Sequence, residues 1–497
     1  MSIVLTIYSV EEHVGKTTIA INLGASLIHE TQSSVLLVDF NAAGNGAPAH
    51  AMLKLFPVNP LRDGATPRDQ LQQYLQLHSS QLFLLTIDAA LLQEEFAVRE
   101  FLRRLFEDLR AAFDYILVDT PGQANRLTHE MLDCSESILF ISAALDHEYP
   151  LGVLGTHELR QVVNLQAESA GRGLLQQPRC YVLPQDPVAV ETFRGSGIPF
   201  VIQLPYRPIS QMIARLARDL GRKQVGLALT GGGALGLAQL GVLEVFERNR
   251  IAVDFFAGTS FGALIGAAGA AGVELTRFTR YVVSWALSRS YLSRLNARFF
   301  EGRLLKEKSL HALCDAFLKD VYFEELLIPL NVMAFDIRTG RSVIFQEGKV
   351  LDAVKSSMRI PGIFAPFRQT EQYLVDSSVF YATPIAPLKQ MGAHITIAVQ
   401  VAPAPGVKKR LTPKQLLAEQ NYAITAATFD GLMAHMNEMS DDAAQPAKLQ
   451  PDVVILPEVG GIAWQEFHRI NELIDAGIQA AEKAIPKIEE LKWGKNH

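Results

Sequence analysis

The sequence predicts two α/β domains, each a mostly parallel β-sheet covered by helices, and three observations carry that expectation. The chain has 497 residues, too many for one core at about 150 residues per domain. Short β-branched runs alternate with helical stretches through the first 220 residues, the pattern of βαβ units packed into a covered sheet. A fresh apolar run, Val225 to Leu229, then opens a second alternation. The boundary is therefore expected near residue 220, giving domains 1–220 and 221–497.

In the first domain the strand-like runs are Ile3 to Ile7, Val35 to Val38, Leu82 to Ile87, Ile116 to Val118, Ile138 to Ile141 and Tyr181 to Leu183. Helical stretches such as Phe96 to Phe113 lie between several of them. The proline-punctuated stretch Leu204-Pro-Tyr-Arg-Pro208 leads into a helix whose residues Ile209, Met212, Ile213, Leu216 and Leu220 share one face. Arg215, Arg218, Arg222 and Lys223 interleave with that face or follow it. The expected role is a last helix packed on its domain with a solvated basic edge; the alternative is a basic helix lying on an anionic membrane. In the second domain, Phe255 to Val273 has about the length of a membrane span. It contains five glycines and Ser260, so it is read as a buried strand end followed by a helix.

Composition narrows the function classes. Apolar residues make up 48% and charged residues 20%, which excludes a disordered or collagen-like chain. A net charge of -6 provides no broad basic field, so nucleic acid is not an expected partner. Cys134, Cys180 and Cys314 are odd in number and far apart, which points to neither a disulfide framework nor a zinc site. With no signal-peptide pattern at the start, the expected location is cytoplasmic, with peripheral membrane contact left open.

Two glycine-containing motifs carry the chemistry of the second domain. Gly231-Gly-Gly-Ala-Leu-Gly236 follows a strand and precedes a helix; alone it reads as an oxyanion hole, a nucleotide loop or a tight turn. Gly258-Thr-Ser-Phe-Gly262 lies between the strand Phe255 to Ala257 and the small-residue helix Ala263 to Ala271, the setting of a nucleophile elbow. The base for Ser260 is open between a histidine, His394 or His468, and a carboxylate acting directly, Asp376 at the end of Leu374-Val-Asp-Ser-Ser378. No cluster with metal-ligand spacing lies near these residues.

From about Gln224 to Ala481 the chain resembles the bacterial patatin-like phospholipases. Four blocks match in order: Gly231 to Gly236 with Gly241-Val-Leu243, Gly258 to Gly262, Ser356-Ser-Met-Arg-Ile-Pro-Gly-Ile-Phe-Ala-Pro366, and Val375-Asp-Ser-Ser-Val379. The resemblance implies a three-layer α/β/α fold and a lipid acyl hydrolase. Ser260 would be its nucleophile, Asp376 its base, Gly231, Gly232, Gly233 and Ala234 its oxyanion hole, and lipid esters its substrates, with no cofactor. The chain departs from the family pattern at Leu235, where Arg or Lys is usual, at Ser377 and Ser378, where small glycine-type residues are usual, and at Ala382, where Asn is usual. The Cβ of Ser377 is expected to move Asp376. The aromatic segment Tyr281 to Phe300, with Trp285, Tyr291, Phe299 and Phe300, is expected to be core, with an acyl-binding cap as the alternative.

In the first domain, Val14-Gly-Lys-Thr-Thr18 follows a strand and starts a helix, and Tyr115-Ile-Leu-Val-Asp-Thr-Pro-Gly122 reads as a strand ending in an acid. In P-loop chemistry Lys16 would reach phosphates while Thr17 and Asp119 complete a Mg²⁺ shell. Residues 1 to about 220, including Val35-Leu-Leu-Val-Asp39, resemble the ParA/MinD-type ATPases. That resemblance implies ATP and Mg²⁺ at Gly15, Lys16, Thr17, Thr18, Asp39 and Asp119, and a homodimer through this domain. Glu11, Glu12 and His13 replace the loop's lysine and glycines, Val10 replaces its first glycine, and Asn41 stands where an aspartate is frequent. Glu11 and Glu12 are therefore expected to turn away from any phosphate, with weak binding and little turnover. The competing reading of the whole chain is a non-enzymatic lipid- or partner-binding switch built from two degraded enzymes.

Overall fold

The computed structural model describes residues 2–11, 13–41, 48–56, 61, 71–87, 95–121, 126–143, 158–164, 179–288, 307–359, 364, 366–377, 383–401, 450–462 and 466–494. They fall into two compact units, Met1–Lys223 and Gln224–His497.

The first unit is built on an eight-stranded sheet in the order β3-β4-β2-β5-β1-β6-β7-β8. Its strands are β1 (Ile3–Tyr8), β2 (Val35–Asp39), β3 (Leu75–Leu77), β4 (Phe83–Thr86), β5 (Tyr115–Asp119), β6 (Ser137–Ser142), β7 (Glu158–Asn164) and β8 (Cys180–Leu183). Every pairing is parallel except β3 with β4. The middle strands β2 and β6 are buried along their whole length because helices cover both faces, and their continuous apolar runs follow from that.

Strand β7 is not legible as an apolar run, since its sequence is Glu-Leu-Arg-Gln-Val-Val-Asn. Arg160 sits in its middle and is buried, neutralised by Asp219 at 2.6 Å and donating to Ser137 Oγ at 2.9 Å. A charge is tolerated inside only when paired and hydrogen-bonded in this way. Asp219 comes from the helix Pro208–Leu220, which packs against the helix Lys16–Thr31. The apolar stripe of Pro208–Leu220 is buried as its spacing predicts. Its expected solvated basic edge is corrected: Arg215 and Arg218 are buried, Arg218 lying 3.2 Å from Glu30, while Arg222 is exposed. Helical periodicity locates an apolar face but cannot show that an acid on another helix neutralises an arginine beside it.

The second unit carries β9 (Val225–Leu229), β10 (Phe255–Thr259), β11 (Leu330–Asp336), β12 (Arg341–Phe345), β13 (Phe367–Gln369), β14 (Gln372–Asp376), β15 (Ile395–Val399) and β16 (Val453–Ile455). The order is β13-β14-β11-β10-β9-β15-β16, with β12 also on β11. Strands β11, β10, β9, β15 and β16 are mutually parallel. The helices Ala238–Arg248 and Ile470–Trp493 cover one face. They touch backbone to backbone through Gly241 and Gly477, where a Cβ would fall 2.1 Å from Ile474 O and 1.8 Å from Ala238 O.

The pairings of β11 have a consequence for the site. β12 lies antiparallel along Val332 to Asp336 of β11, so it occupies one edge there. β10 pairs with β11 as far as Met333, and β14 pairs with it from Ala334 onward. A strand has two edges, so β10 and β14 share the remaining one, end to end. Because β10 runs parallel to β11 and β14 antiparallel, their C-terminal ends meet beside Met333 and Ala334. Among the described residues, no helix is long and apolar enough to cross a membrane.

Candidate active site

Ser260 follows β10 and caps the helix Phe261–Ala270 with φ 54° and ψ -126°. A non-glycine residue held there is strained, and such strain persists only where the surroundings impose it. The glycines on either side impose it. A Cβ at Gly262 would lie 2.4 Å from Leu229 O and 2.7 Å from Thr230 O, and one at Gly258 would lie 2.7 Å from Ala263 Cα. The helix thus sits directly on the end of β9, and the chain must turn sharply at Ser260.

The glycine-rich loop lies against the same turn. Gly231 follows β9, and Gly233–Leu237 form a short 3₁₀ turn capped by Gly232, whose φ of 149° favours glycine. Gly233 has φ 59°. The first N–H groups of such a turn have no intrahelical acceptor, and Ala234 is the last of this set. Contact with the elbow is close, since a Cβ at Gly236 would fall 3.1 Å from Phe261 Cβ. Leu235 is 1% exposed and belongs to the apolar core, so its side chain points into that core.

Asp376 ends β14 opposite Ala334, 1% exposed, and its N–H donates to Arg359 O at 2.9 Å. The end-to-end arrangement of β10 and β14 therefore brings its residue to the turn that carries Ser260. Direct contact joins the two strand ends: Thr259 Oγ1 and Ser377 Oγ are 2.7 Å apart. Ser357, at the end of the helix Val350–Ser357, accepts the Ser260 N–H at 2.8 Å. Ser357 has no role legible from sequence, because a hydroxyl that accepts a backbone N–H from a residue 97 positions away leaves no local signal.

The histidines are placed differently. His394 precedes β15, whose Ile395 to Val399 pair in register with Val225 to Leu229, so it lies at the N-terminal edge of the sheet and Ser260 at the C-terminal edge. Five strand residues at about 3.3 Å each separate them by roughly 16 Å or more. His468 is exposed, while its neighbour Phe467 packs on Phe261 with ring centroids 5.6 Å apart. In the aromatic segment, Trp285 packs against Phe467 and Tyr281 against Phe317. Tyr291, Phe299, Phe300, Ser378 and Ala382 lie outside the described residues.

In the first unit, Gly15 caps the helix Lys16–Thr31 with φ 85°. Lys16 is buried and Thr18 half-buried. Thr17 Oγ1 donates to Asp119 Oδ2 at 2.6 Å. Asp39 and Asp119 are register partners on β2 and β5. Asn41 ties them together: its N–H donates to Asp39 Oδ1 at 2.8 Å and its Nδ2 to Asp119 Oδ2 at 2.9 Å. Burial, with the neighbouring Asp39 charge added, pushes the Asp119 carboxyl up to about 7, against the opposing pull of Thr17, Lys16 and Asn41. Burial likewise raises Asp39. Asp119 Oδ1 is buried without a hydrogen-bond partner among the described residues. Glu11 turns toward the end of β6, accepting the Ala143 N–H at 3.3 Å; Glu12 lies outside the described residues.

Residues 227–389 match the patatin-like phospholipase family and residues 3–170 an AAA domain family. An uncharacterized NTE family protein of Mycobacterium tuberculosis is 33% identical over 219 residues, covering 43% of this chain and 59% of that protein. The lysophospholipase NTE1 of Pyricularia oryzae is 25% identical over 318 residues, covering 58% of this chain and 21% of its own length. The chain thus spans less than two thirds of these relatives. Among solved structures, a ParA family ATPase from Chlorobium tepidum is 19% identical with a TM-score of 0.36, covering 44% of this chain and 99% of its own. MinD of Pyrococcus horikoshii complexed with Mg-ADP is also 19% identical with a TM-score of 0.36, covering 44% and 96%. The chain carries an AAA domain over residues 3–170, followed by a patatin-like phospholipase domain over residues 227–389.

Proposed function

We propose that the second unit is a serine hydrolase of lipid carboxylic esters in which Ser260 and Asp376 act as a dyad. The observation that carries this reading is the end-to-end meeting of β10 and β14, which puts the residue after one strand and the last residue of the other at one junction on β11. Asp376 takes the Ser260 proton as Oγ attacks the ester carbonyl. The N–H groups of Gly231, Gly232, Gly233 and Ala234 are the donors for the developing oxyanion, each well-aimed donor contributing roughly 3 to 4 kcal/mol. The alcohol leaves with the proton held by Asp376, and an acyl group remains on Ser260. Asp376 then deprotonates the water that attacks the acyl group and returns that proton to Ser260 Oγ as the carboxylic acid leaves. The family match and the lysophospholipase relative support lipid esters as the substrate class. Hydrolysis of p-nitrophenyl butyrate and of a lysophospholipid by wild type and by Ser260→Ala tests the reading, and equal rates in the two proteins would sink it.

Proton transfer to Asp376 and backbone N–H groups supply the whole of this chemistry, so no step calls for a metal. Esterase activity is expected to be unchanged by EDTA. Loss of activity on chelation, restored by one divalent cation, would contradict that.

For the first unit we propose nucleotide docking with little turnover. Thr17, Asp39 and Asp119 present hard oxygen donors of the kind Mg²⁺ takes, and the unpartnered Asp119 Oδ1 leaves acceptor capacity there. Bound Mg²⁺ would neutralise phosphate charge; Lys16 and the N–H groups after Gly15 would hold the phosphates. Calorimetric titration with ATP and Mg²⁺ is expected to show weak binding that disappears in Lys16→Ala. Glu11→Lys with Glu12→Gly and His13→Gly is expected to tighten it. Absence of binding at millimolar ATP in both the wild-type and the restored protein would leave this unit as a docking or dimerisation module.

A further inference from the structure

We propose that Ser377 is a positioning residue for the dyad, joining the acid-bearing strand end to the nucleophile-bearing one through Thr259. The inference rests on the hydrolase reading of Ser260 and Asp376 and names what holds the two in register. Five hydroxyl and backbone groups form one connected set. Thr259 Oγ1 and Ser377 Oγ lie 2.7 Å apart, Ser377 Oγ donates to Met333 O at 3.2 Å, Ser357 Oγ donates to the same carbonyl at 2.5 Å, and Ser260 N–H donates to Ser357 Oγ at 2.8 Å.

Counting protons gives each group one role. A serine hydroxyl has one hydrogen to donate. With the Ser377 hydrogen on Met333 O, Thr259 is the donor to Ser377. Ser357 spends its hydrogen on the second lone pair of Met333 O and accepts from Ser260 with its own oxygen. The set is therefore directional from both strand ends to one carbonyl of β11. It is also buried: Thr259, Ser260, Ser357 and Ser377 are each at most 3% exposed. On the far side of the same strand end, the Asp376 N–H is held by Arg359 O at 2.9 Å. Asp376 is thus fixed through its own backbone and through the next residue.

On this reading the Ser377 side chain holds the acid in place, against the expectation that a Cβ at position 377 displaces it. β10 and β14 share an edge of β11 but are not paired with each other, so no ladder of backbone hydrogen bonds aligns their ends. The Ser377 hydroxyl supplies that link, and glycine at 377 would leave Thr259 Oγ1 buried without it.

The test uses the full chain with p-nitrophenyl butyrate, following kcat and KM separately, a fluorophosphonate probe to titrate Ser260, and thermal melting as a fold control. Ser377→Gly, Ser377→Ala and Thr259→Val are each expected to lower kcat roughly 10- to 100-fold, the scale of a misplaced reacting group, with KM within about twofold of wild type. The Thr259→Val/Ser377→Ala double variant is expected to be no worse than the weaker single variant, because both remove one link. Should a Ser377 variant fail to fold, Thr259→Val carries the same prediction. Wild-type kcat in the folded single variants, a rise in KM alone, or fully additive losses would overturn the positioning role while leaving the hydrolase reading intact. A wild-type protein that neither hydrolyses the ester nor takes the probe at Ser260 would instead bring down the hydrolase reading, and this inference with it.

Discussion

Ser260→Ala and Asp376→Asn are each expected to lower ester hydrolysis by roughly 10⁴-fold or more, and the double variant to be hardly worse than either, because residues that act as one unit are lost as one. The structural basis is the junction of β10 and β14 beside Met333 and Ala334 of β11. Ser260 is held at φ 54° by the contacts of the two elbow glycines, and Asp376 is the residue paired with Ala334 at the same junction. His394→Ala and His468→Ala are expected to stay within about twofold of wild type, since a general base must come within hydrogen-bond reach of the proton it takes. One of these histidines lies at the opposite edge of the sheet and the other is exposed. Initial rates with p-nitrophenyl butyrate, alongside a melting curve for each variant, check all of this. A hundredfold loss in a folded histidine variant would overturn Asp376 as the base.

Gly262→Ala is expected to be the more damaging of the single-methyl changes at the two elbow glycines. The added Cβ would fall 2.4 Å from Leu229 O and 2.7 Å from Thr230 O. Both are backbone atoms at the end of β9, so neither can rotate away, and the helix Phe261–Ala270 must lift. Overpacking of this kind costs about 1 to 3 kcal/mol. The lift also moves Ser260, the cap of that helix, so activity should fall roughly 100-fold. Gly266→Ala, one turn along the same helix, is the internal control. Its nearest neighbours would be side-chain atoms at 3.6 Å, and replacing a helical glycine there is expected to be neutral or to stabilise by about 0.4 to 1 kcal/mol. The pair is read by melting temperature and by kcat. Equal behaviour of the two variants would show that close approach at Gly262 does not shape the elbow.

Much of this protein is local information. The alternation of β-branched runs with helical stretches marked two mostly parallel sheets, because strands covered on both faces must be apolar along their length. Gly258-Thr-Ser-Phe-Gly262 was legible as a sharp strand-to-helix turn, and Val14-Gly-Lys-Thr-Thr18 as the start of a helix after a strand, because each motif has its residues at short fixed spacing.

What the tertiary structure decided is what lies between elements far apart in the chain. Strand β7 was hidden because Arg160 looks solvent-facing until Asp219 is placed beside it. The basic edge of the helix Pro208–Leu220 turns inward at Arg218 for the same reason, with Glu30 supplied by another helix. Ser377 reads from sequence only as a Cβ in place of a glycine, whereas in the fold its hydroxyl meets Thr259 across the gap between two unpaired strand ends. No periodicity encodes that β10 and β14 share one edge of β11. That edge is left to them only because β12 occupies the other, and this competition for backbone hydrogen bonds exists only once three distant segments have come together.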